Sequence, residues 1–198
     1  GRSTALWKST DGGQSWGVIL RGAVTDFSLN PADSSVAYAA LGYFSGSNDN
    51  GIYRSTDGGE NWSRLTSGLP DQFTMGRIAL AVAPTEPSTL YALIARSSDF
   101  KLNGIYRSLN GGDSWGRLSS LSEDVLTEDG AGQGAFNLCL EVDPRDGAVV
   151  YAGGSDLWKS SDYGANWQSL SVVAGLHEDP HAIVFDPADP QSFYLVGD

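Results

Sequence analysis

The chain has 198 residues, with 24 acidic against 12 basic side chains and a formal net charge of −12. Nucleic acids and anionic membranes are bound through basic patches, so this balance argues against both as partners. The single cysteine, Cys139, allows no disulfide within the chain, and no apolar stretch reaches the ~18 residues of a membrane span. The given sequence starts inside a repeat and without a signal-peptide pattern, so we expect a mature, trimmed or partial chain.

An eight-residue phrase returns four times, at residues 9–16, 55–62, 108–115 and 160–167, and each copy is called a turn box here. Its serines lie 46, 53 and 52 residues apart, a spacing typical of repeat architectures. An aspartate that opens a tight turn accepts backbone N–H groups, glycines supply positive φ, and a tryptophan covers the hairpin. The predicted structural residues are Ser9, Asp11, Trp16, Ser55, Asp57, Trp62, Ser108, Asn110, Trp115, Ser160, Asp162 and Trp167. In the third box Asn110 replaces the aspartate. It keeps the acceptor oxygen that closes the turn but cannot titrate, so the boxes are interpreted as turns and not as catalytic sites.

A second pattern lies between the boxes, where an alternating strand ends at Pro31, Pro84, Pro144 or Pro187 and a tyrosine follows seven residues later. With the strands on either side of each box, this predicts four-stranded antiparallel meanders, the blades of an all-β β-propeller. We expect one propeller region over residues 1–198. Its full blades are predicted at residues 21–66, 74–118 and 137–171. Residues 1–20 and 181–198 are predicted to supply the outer and inner strands of a split blade, either in a closed ring of four or in an arc completed by further blades or another chain.

The pattern Ser-x-Asp-x-Gly-x-x-Trp resembles the Asp-box, or BNR repeat. The Asp-box family includes sialidases, xyloglucan-degrading propeller hydrolases, sortilin-type receptors and a photosystem II assembly factor. The residues that precede each box are most similar to those of secreted bacterial members of the family. This resemblance implies an extracellular, periplasmic or cell-surface location. The resemblance implies the propeller fold, but it does not select one function, because the family contains hydrolases, receptors and scaffolds.

The loops at residues 42–50, 69–76, 96–103, 119–136 and 172–181 vary in length and are predicted to emerge on one face, called the loop face. The candidate binding residues are Tyr43, Phe44, Asp49, Phe73, Phe100, His177, Asp179 and His181. The aromatic residues either pack the loops or form a binding surface. The His-x-Asp-x-His phrase braces its loop, holds a metal or contacts substrate. The acidic loops would suit Ca²⁺, but none has the ligand spacing of an EF-hand, so no metal and no cofactor is predicted.

We expect an exported binding or assembly module whose loop face binds a protein or a polysaccharide, and no catalytic residue is assigned. The group of arginines and the Arg-Ile-Pro motif that are typical of sialidases are missing from this sequence. The cleft of a xyloglucanase requires two propellers. The alternative is a fragment of a xyloglucanase-like or sialidase-like glycoside hydrolase, with a carboxylate pair drawn from Asp49, Asp99, Asp124 or Asp129. An assembly factor of the photosynthetic type would need a basic patch, which the net charge does not favour.

Overall fold

A computed structural model describes residues 4–118, 120–170 and 179–197. The described residues are all-β apart from one short 3₁₀ helix at Glu123–Leu126. Its strands are β1 (Ala5–Lys8), β2 (Gly17–Arg21), β3 (Val24–Leu29), β4 (Ala37–Leu41), β5 (Gly51–Ser55), β6 (Ser63–Leu65), β7 (Met75–Val82), β8 (Leu90–Arg96), β9 (Leu102–Ser108), β10 (Gly116–Leu118), β11 (Thr127–Glu128), β12 (Ala131–Gly132), β13 (Cys139–Val142), β14 (Val150–Gly153), β15 (Leu157–Ser160), β16 (Gln168–Ser169), β17 (Pro180–Phe185) and β18 (Phe193–Gly197).

Three four-stranded antiparallel sheets form the body of the molecule, in the orders β3-β4-β5-β6, β7-β8-β9-β10 and β13-β14-β15-β16. Each sheet is a meander of strands consecutive in sequence, so the predicted all-β class with propeller-type blades is confirmed. Strands β1 and β2 form a two-stranded sheet at one end, and β17 and β18 form another at the other end. Within the described ranges, no helix has the length and hydropathy that crossing a membrane requires.

In the first and third sheets, the turn after the first strand is closed by the side chain of the residue before the proline. Asn30 accepts the N–H of Ala32 at 2.9 Å, as Asp143 accepts the N–H of Arg145 at 2.8 Å. The proline between each pair fixes the backbone for this turn. The strand that follows carries the tyrosine, and its register with the next strand repeats: Tyr38 pairs with Arg54, Tyr91 with Arg107, and Tyr151 with Lys159.

The core lies between neighbouring sheets. One cluster joins the first and second sheets around Tyr38, Ile78 and Ile94, and a second cluster joins the second and third sheets around Tyr91 and Leu93. Fully burying one such side chain contributes roughly 1.5–3 kcal/mol. A single sheet has no core of its own, so the stacking of sheets stabilises the fold, as in other repeat proteins.

The segment 119–136, one of the loops predicted on the loop face, contains short elements of secondary structure. After the 3₁₀ helix the chain forms the β11–β12 hairpin, and Val125 and Leu126 are fully buried against the second and third sheets. Gly132 lies so close to this part of the chain that an added Cβ would stand 2.0 Å from the carbonyl oxygen of Asp99. This segment is therefore anchored to the core and to the loop before it.

Strands β1 and β2 pair only with each other among the described strands, and so do β17 and β18. The composite four-stranded sheet of the split-blade prediction is not formed between them. The described sheets thus follow one another as an arc, and the single propeller region and its blade boundaries stay predictions.

Candidate functional site

The four turn boxes share one set of hydrogen bonds. The serine hydroxyl donates to the oxygen at position three at 2.8–2.9 Å and accepts the N–H of position five at 2.8–2.9 Å. The position-three oxygen also accepts the N–H of position seven at 2.8–3.0 Å. The indole Nε1 donates to the carbonyl of position five at 3.0–3.1 Å. These bonds occupy the polar atoms of the boxes in closing the turn.

Position seven of the box completes this network with its side chain. Ser15 donates to the second carboxylate oxygen of Asp11 at 2.6 Å, and Asn61 donates to that of Asp57 at 2.8 Å. The Ser15 hydroxyl and the Asn61 backbone N–H are the main reasons why the pKa of Asp11 and of Asp57 falls to about 2. In the third box the direction is reversed, since the Asn110 amide donates to the Ser114 hydroxyl at 2.9 Å.

The loops of the loop face are joined to one another by hydrogen bonds. Asn50 is buried and donates to the carbonyls of Tyr43 and Met75 at 2.8 and 2.7 Å, which ties the loop after β4 to the second sheet. The Ser97 hydroxyl donates to the carbonyl of Phe73 at 2.6 Å, and Gly134 N–H donates to the carbonyl of Phe100 at 2.8 Å. The loop face is therefore one connected surface across the described part of three sheets.

Three of the predicted aromatic residues form a cluster on this surface, called the aromatic cluster. The rings of Tyr43 and Phe44 have centroids 4.8 Å apart, and those of Phe44 and Phe100 lie 6.1 Å apart in an edge-on arrangement. Tyr43 and Phe44 remain 46% and 47% exposed, although each offers a large apolar face. Exposed aromatic side chains that already contact one another form a preorganised surface for an apolar ligand face.

A pocket of about 320 Å³ opens beside the aromatic cluster. It is lined by the start of β3, by residues 42–44, by Arg77 of β7 and by Ala135. The Arg77 guanidinium donates to the carbonyl of Phe136, whose ring is 64% exposed. The pocket thus combines an aromatic wall with a cationic donor, the usual mixture in small-ligand sites.

The first strands of the first and third sheets, β3 and β13, carry two carboxylates with raised pKa values. Asp26 accepts the backbone N–H groups of Leu80 at 2.8 Å and Phe27 at 2.7 Å, and burial raises its pKa. Burial also raises the pKa of Glu141 to about 7, and the charge of Asp26 adds to this effect. Raised carboxyl pKa values are concentrated at functional sites, although structural groups show them too.

Cys139 begins the same strand as Glu141 and is buried. Burial is also the main reason why the pKa of its thiol rises to about 12. A thiol with such a pKa is not ionised at neutral pH, so Cys139 acts as a small apolar side chain and not as a nucleophile.

The other predicted binding residues lie apart from the aromatic cluster. Phe73 is 56% exposed on the neighbouring loop, and Asp49 is exposed with its carbonyl accepting the Tyr53 hydroxyl at 2.9 Å. Asp179 accepts a hydrogen bond from the amide of Asn137. His181 lies half-buried in β17, and His177 falls outside the described residues. Their binding roles stay predictions.

Two of the four carboxylates considered for a catalytic pair are held in local contacts. Asp99 forms an ion pair with Arg96 at 2.9 Å, and Asp124 accepts the Ser122 hydroxyl at 2.8 Å. In the described part of the chain, His, Cys, Asp and Glu side chains do not gather in threes in an arrangement that would hold a metal ion. The Ca²⁺ and His-metal alternatives therefore stay predictions.

The sequence interpretation did not select Asp26, Arg77, Glu141 or Phe136. Asp26, Arg77 and Glu141 lie in strands where polar and apolar residues alternate, so they resemble ordinary polar strand residues. The sequence of a single strand does not show which other strands and loops pack on it. One available signal was the position of Glu141 between Leu140 and Val142, in a strand expected to be buried.

Comparison with known proteins relates the chain to polysaccharide-degrading enzymes. A xyloglucanase from Paenibacillus sp is 32% identical over 125 residues, which are 60% of this chain and 12% of that protein. Xyloglucanase Xgh74A from Acetivibrio thermocellus is 25% identical over 115 residues, or 55% of this chain and 13% of that protein. Over about 60% of its length, the chain is homologous to xyloglucanases. No family model matches the chain.

Solved structures support the same relationship over more of the chain. The GH74 xyloglucanase from Xanthomonas campestris matches 93% of this chain and 27% of its own, with 27% identity and a TM-score of 0.60. The structure of YCF48 bound to D1 peptide matches 89% of this chain and 49% of its own, with a TM-score of 0.57 at 13% identity, which shows a shared fold only. The chain thus spans about one-eighth of the curated relatives and about a quarter of the xyloglucanase structure.

Proposed function

We propose that the chain is part of an Asp-box β-propeller of the xyloglucanase type and that its loop face binds a polysaccharide. The observation that carries this proposal is the aromatic cluster, in which Tyr43 and Phe44 stand half-exposed beside the pocket that contains Arg77. The similarity to xyloglucanases favours a glycan over a protein as the ligand. Since polysaccharides of this kind lie outside cells, an extracellular, periplasmic or cell-surface location is part of the proposal.

The chemistry of the loop face suits a neutral sugar chain. Pyranose rings present apolar C–H faces that pack on aromatic rings, while their hydroxyls exchange hydrogen bonds with charged and amide groups. Tyr43 and Phe44 offer the aromatic faces, and Arg77 offers a donor at the pocket wall. An uncharged glycan is not repelled by the net charge of −12, whereas an acidic ligand would be.

The binding proposal is tested by titrating xyloglucan oligosaccharides into the parent chain and into Tyr43→Ala and Phe44→Ala variants. We expect each variant to bind at least about tenfold more weakly, equivalent to about 1.4 kcal/mol, with an unchanged melting temperature. Trp16→Ala is the matched control, because Trp16 is a 60% exposed aromatic residue in a turn box. Equal binding by the parent and both loop variants would contradict the proposal.

Hydrolysis by this chain is the second candidate, favoured by the homology and by Glu141. A carboxyl group with a pKa of about 7 retains its proton near neutral pH, as the general acid of a glycoside hydrolase must. Asp26 is the carboxylate whose charge acts on it. Release of reducing ends from xyloglucan, abolished in Glu141→Gln and retained in Glu60→Gln, a change at an exposed box position, would support this candidate over binding alone.

A further inference from the structure

The third turn box differs from the other three at two neighbouring positions. Position two is Leu109, where the other boxes have threonine or serine, and position three is Asn110, where the others have aspartate. The Leu109 side chain is 62% exposed, and Asn110 is exposed as well. This box therefore lacks the carboxylate of the others and presents an apolar side chain to solvent.

Both residues line a pocket of about 500 Å³ on the second sheet, called the box pocket. Its other walls are Arg107 of β9, the end of the turn box at Ser114 and Trp115, and strand β10. None of these lining residues belongs to the loop face, and none of them carries a carboxylate. The second sheet is the middle one of the three, so neither end of the chain takes part in the box pocket.

Arg107 is the cation of this pocket, and contacts from the third sheet hold its guanidinium in place. One N–H donates to the carbonyl of Tyr163 at 3.0 Å, and the guanidinium carbon lies 5.7 Å from the centroid of the Tyr163 ring. Arg117 lines the pocket too, but its guanidinium donates at 2.9 Å to the carbonyl of Asn103, which is not a lining residue. Arg107 is therefore the preorganised donor of the box pocket.

The repeat shows how a cation at the position of Arg107 is otherwise neutralised. Arg54, the matching residue of the first sheet, forms an ion pair with Asp113 at 2.7 Å. Asp113 is position six of the following turn box, and the box that begins directly after Arg54 has its own aspartate at position three. Two positions of the repeat can therefore supply a carboxylate to this cation.

Both of these positions lack a carboxylate around Arg107. Position six of the following box is Ala165, and position three of its own box is Asn110. The carboxylate of Glu86 accepts the Tyr163 hydroxyl at 2.9 Å, and among the described residues Arg107 forms no ion pair. In a chain with a net charge of −12, the box pocket thus has a cation that these residues do not neutralise.

The fourth turn box has a pocket at the same positions of the repeat. Its volume is about 260 Å³, and its lining includes both a cation, Lys159, and the box carboxylate, Asp162. The residue that matches Gln168 of this lining is Gly116, which has no side chain, and the box pocket is almost twice as large. The box pocket is therefore the larger of the two, and its positive charge is not balanced by an acid of its lining.

We propose that the box pocket binds a sugar acid of monosaccharide size through its carboxylate. The planar guanidinium of Arg107 matches the geometry of a carboxylate and stays charged at every relevant pH. The Ser114 hydroxyl accepts the Asn110 amide at 2.9 Å, so its proton can be donated to a hydroxyl of the ligand. Leu109 offers an apolar edge to the C–H groups of the sugar ring. A volume of about 500 Å³ lies within the range of small-ligand sites, about 300–1,000 Å³.

Titration of glucuronate into the 198-residue chain, followed by NMR, tests the ligand class, with glucose as the neutral ligand of the same ring size. We expect saturable shifts with glucuronate that weaken as salt is added, and no saturable shifts with glucose. Sulfate is titrated as a bare anion. No saturable binding of glucuronate, equal binding of glucose, or sulfate binding as tight as that of glucuronate, which would show an adventitious ion only, would each overturn the proposal.

Two variants test the residues of the box pocket. Arg107→Gln and Asn110→Asp should each bind glucuronate at least about tenfold more weakly, because the first removes the charged donor and the second restores the repelling carboxylate. Asn110→Asp should keep its fold, since the other three boxes close the same turn with an aspartate. Lys159→Gln, in the pocket of the fourth box, is the matched control and should bind like the parent. Glucuronate binding that Asn110→Asp leaves unchanged, or that Lys159→Gln weakens equally, would count against the assignment to the box pocket.

The box pocket and the aromatic cluster share no residue, so the two proposed sites can fail independently. Tyr43→Ala should bind glucuronate like the parent, and Asn110→Asp should bind xyloglucan oligosaccharides like the parent. A loss of both ligands in either variant would show a general loss of structure and would contradict two separate sites.

Discussion

Replacing Glu141 by glutamine is expected to stabilise the chain at alkaline pH and to leave its stability unchanged in acid. Burial raises the pKa of Glu141 from 4.5 to about 7, so the folded chain holds the proton more tightly than the unfolded chain does. Between these two values unfolding releases a proton, and stability falls as the pH rises. Above pH 7 the parent carries the full penalty of a buried carboxylate, which the neutral amide of the Glu141→Gln variant does not have.

The size of this gain in the free energy of unfolding follows from the difference in the pKa of Glu141 between the folded and the unfolded chain. A difference of about 2.5 units corresponds to about 3 kcal/mol as an upper bound, because each unit is worth about 1.36 kcal/mol and partial exposure reduces the effect. For a chain of this length that raises the melting temperature by roughly 6–12 °C at pH 8. The amide oxygen of the glutamine retains the acceptor that Glu141 offers to the N–H of Val142 at 3.2 Å.

The assay is urea unfolding of parent and variant at pH 4, 6 and 8, with Glu60→Gln as the control at an exposed box position. The stability difference should be near zero at pH 4 and grow with pH for Glu141→Gln alone. A difference that does not change with pH, or a variant less stable than the parent at pH 8, would refute the reasoning from burial.

Three further predictions concern the turn boxes and the contacts between sheets. Trp115→Ala should cost about 3–5 kcal/mol in urea unfolding and Trp16→Ala less than about 1, because these two box residues are 6% and 60% exposed; equal losses would contradict this. Tyr91→Phe should cost about 1 kcal/mol in the same assay by removing the hydrogen bond to the carbonyl of Gly147 at 3.1 Å, and no loss would count against that bond. Asn110→Asp introduces a carboxylate whose pKa should be lowered like that of Asp11. In acid titrations the stability of this variant relative to the parent should therefore increase as the pH rises from about 2 to 5. A stability difference that does not change with pH would contradict this.

The fold was predictable because its signals are local. Each turn box closes through bonds between residues at most four positions apart, as from Ser55 to Gly59, so the pattern is readable without knowing the rest of the chain. The proline turns are local in the same way, and the two together set the order and direction of the strands. The loop at 119–136 has little such signal, and the 3₁₀ helix and hairpin that the structure forms there were not predicted.

The candidate site was predictable only in part. The loop face and the exposure of Tyr43 and Phe44 follow from loops of uneven length that carry spare aromatic residues. The approach of Phe100 to Phe44 joins residues more than fifty positions apart, and it depends on how the first and second sheets stack. No periodicity in the sequence reports such a distance.

The amino-acid sequence by itself determined the repeating unit, its strand order and the structural role of the boxes, because these depend on hydrogen bonds and alternation within a few residues. Only the tertiary structure decided which polar residues are buried and which apolar residues remain exposed. Glu141 and Asp26 acquire raised pKa values from the sheets packed around them, and Tyr194 stays exposed where its repeat counterparts are covered. The physical reason is that desolvation and contact between sheets are properties of neighbours distant in sequence, and identical repeats meet different neighbours at the middle and at the ends of an arc.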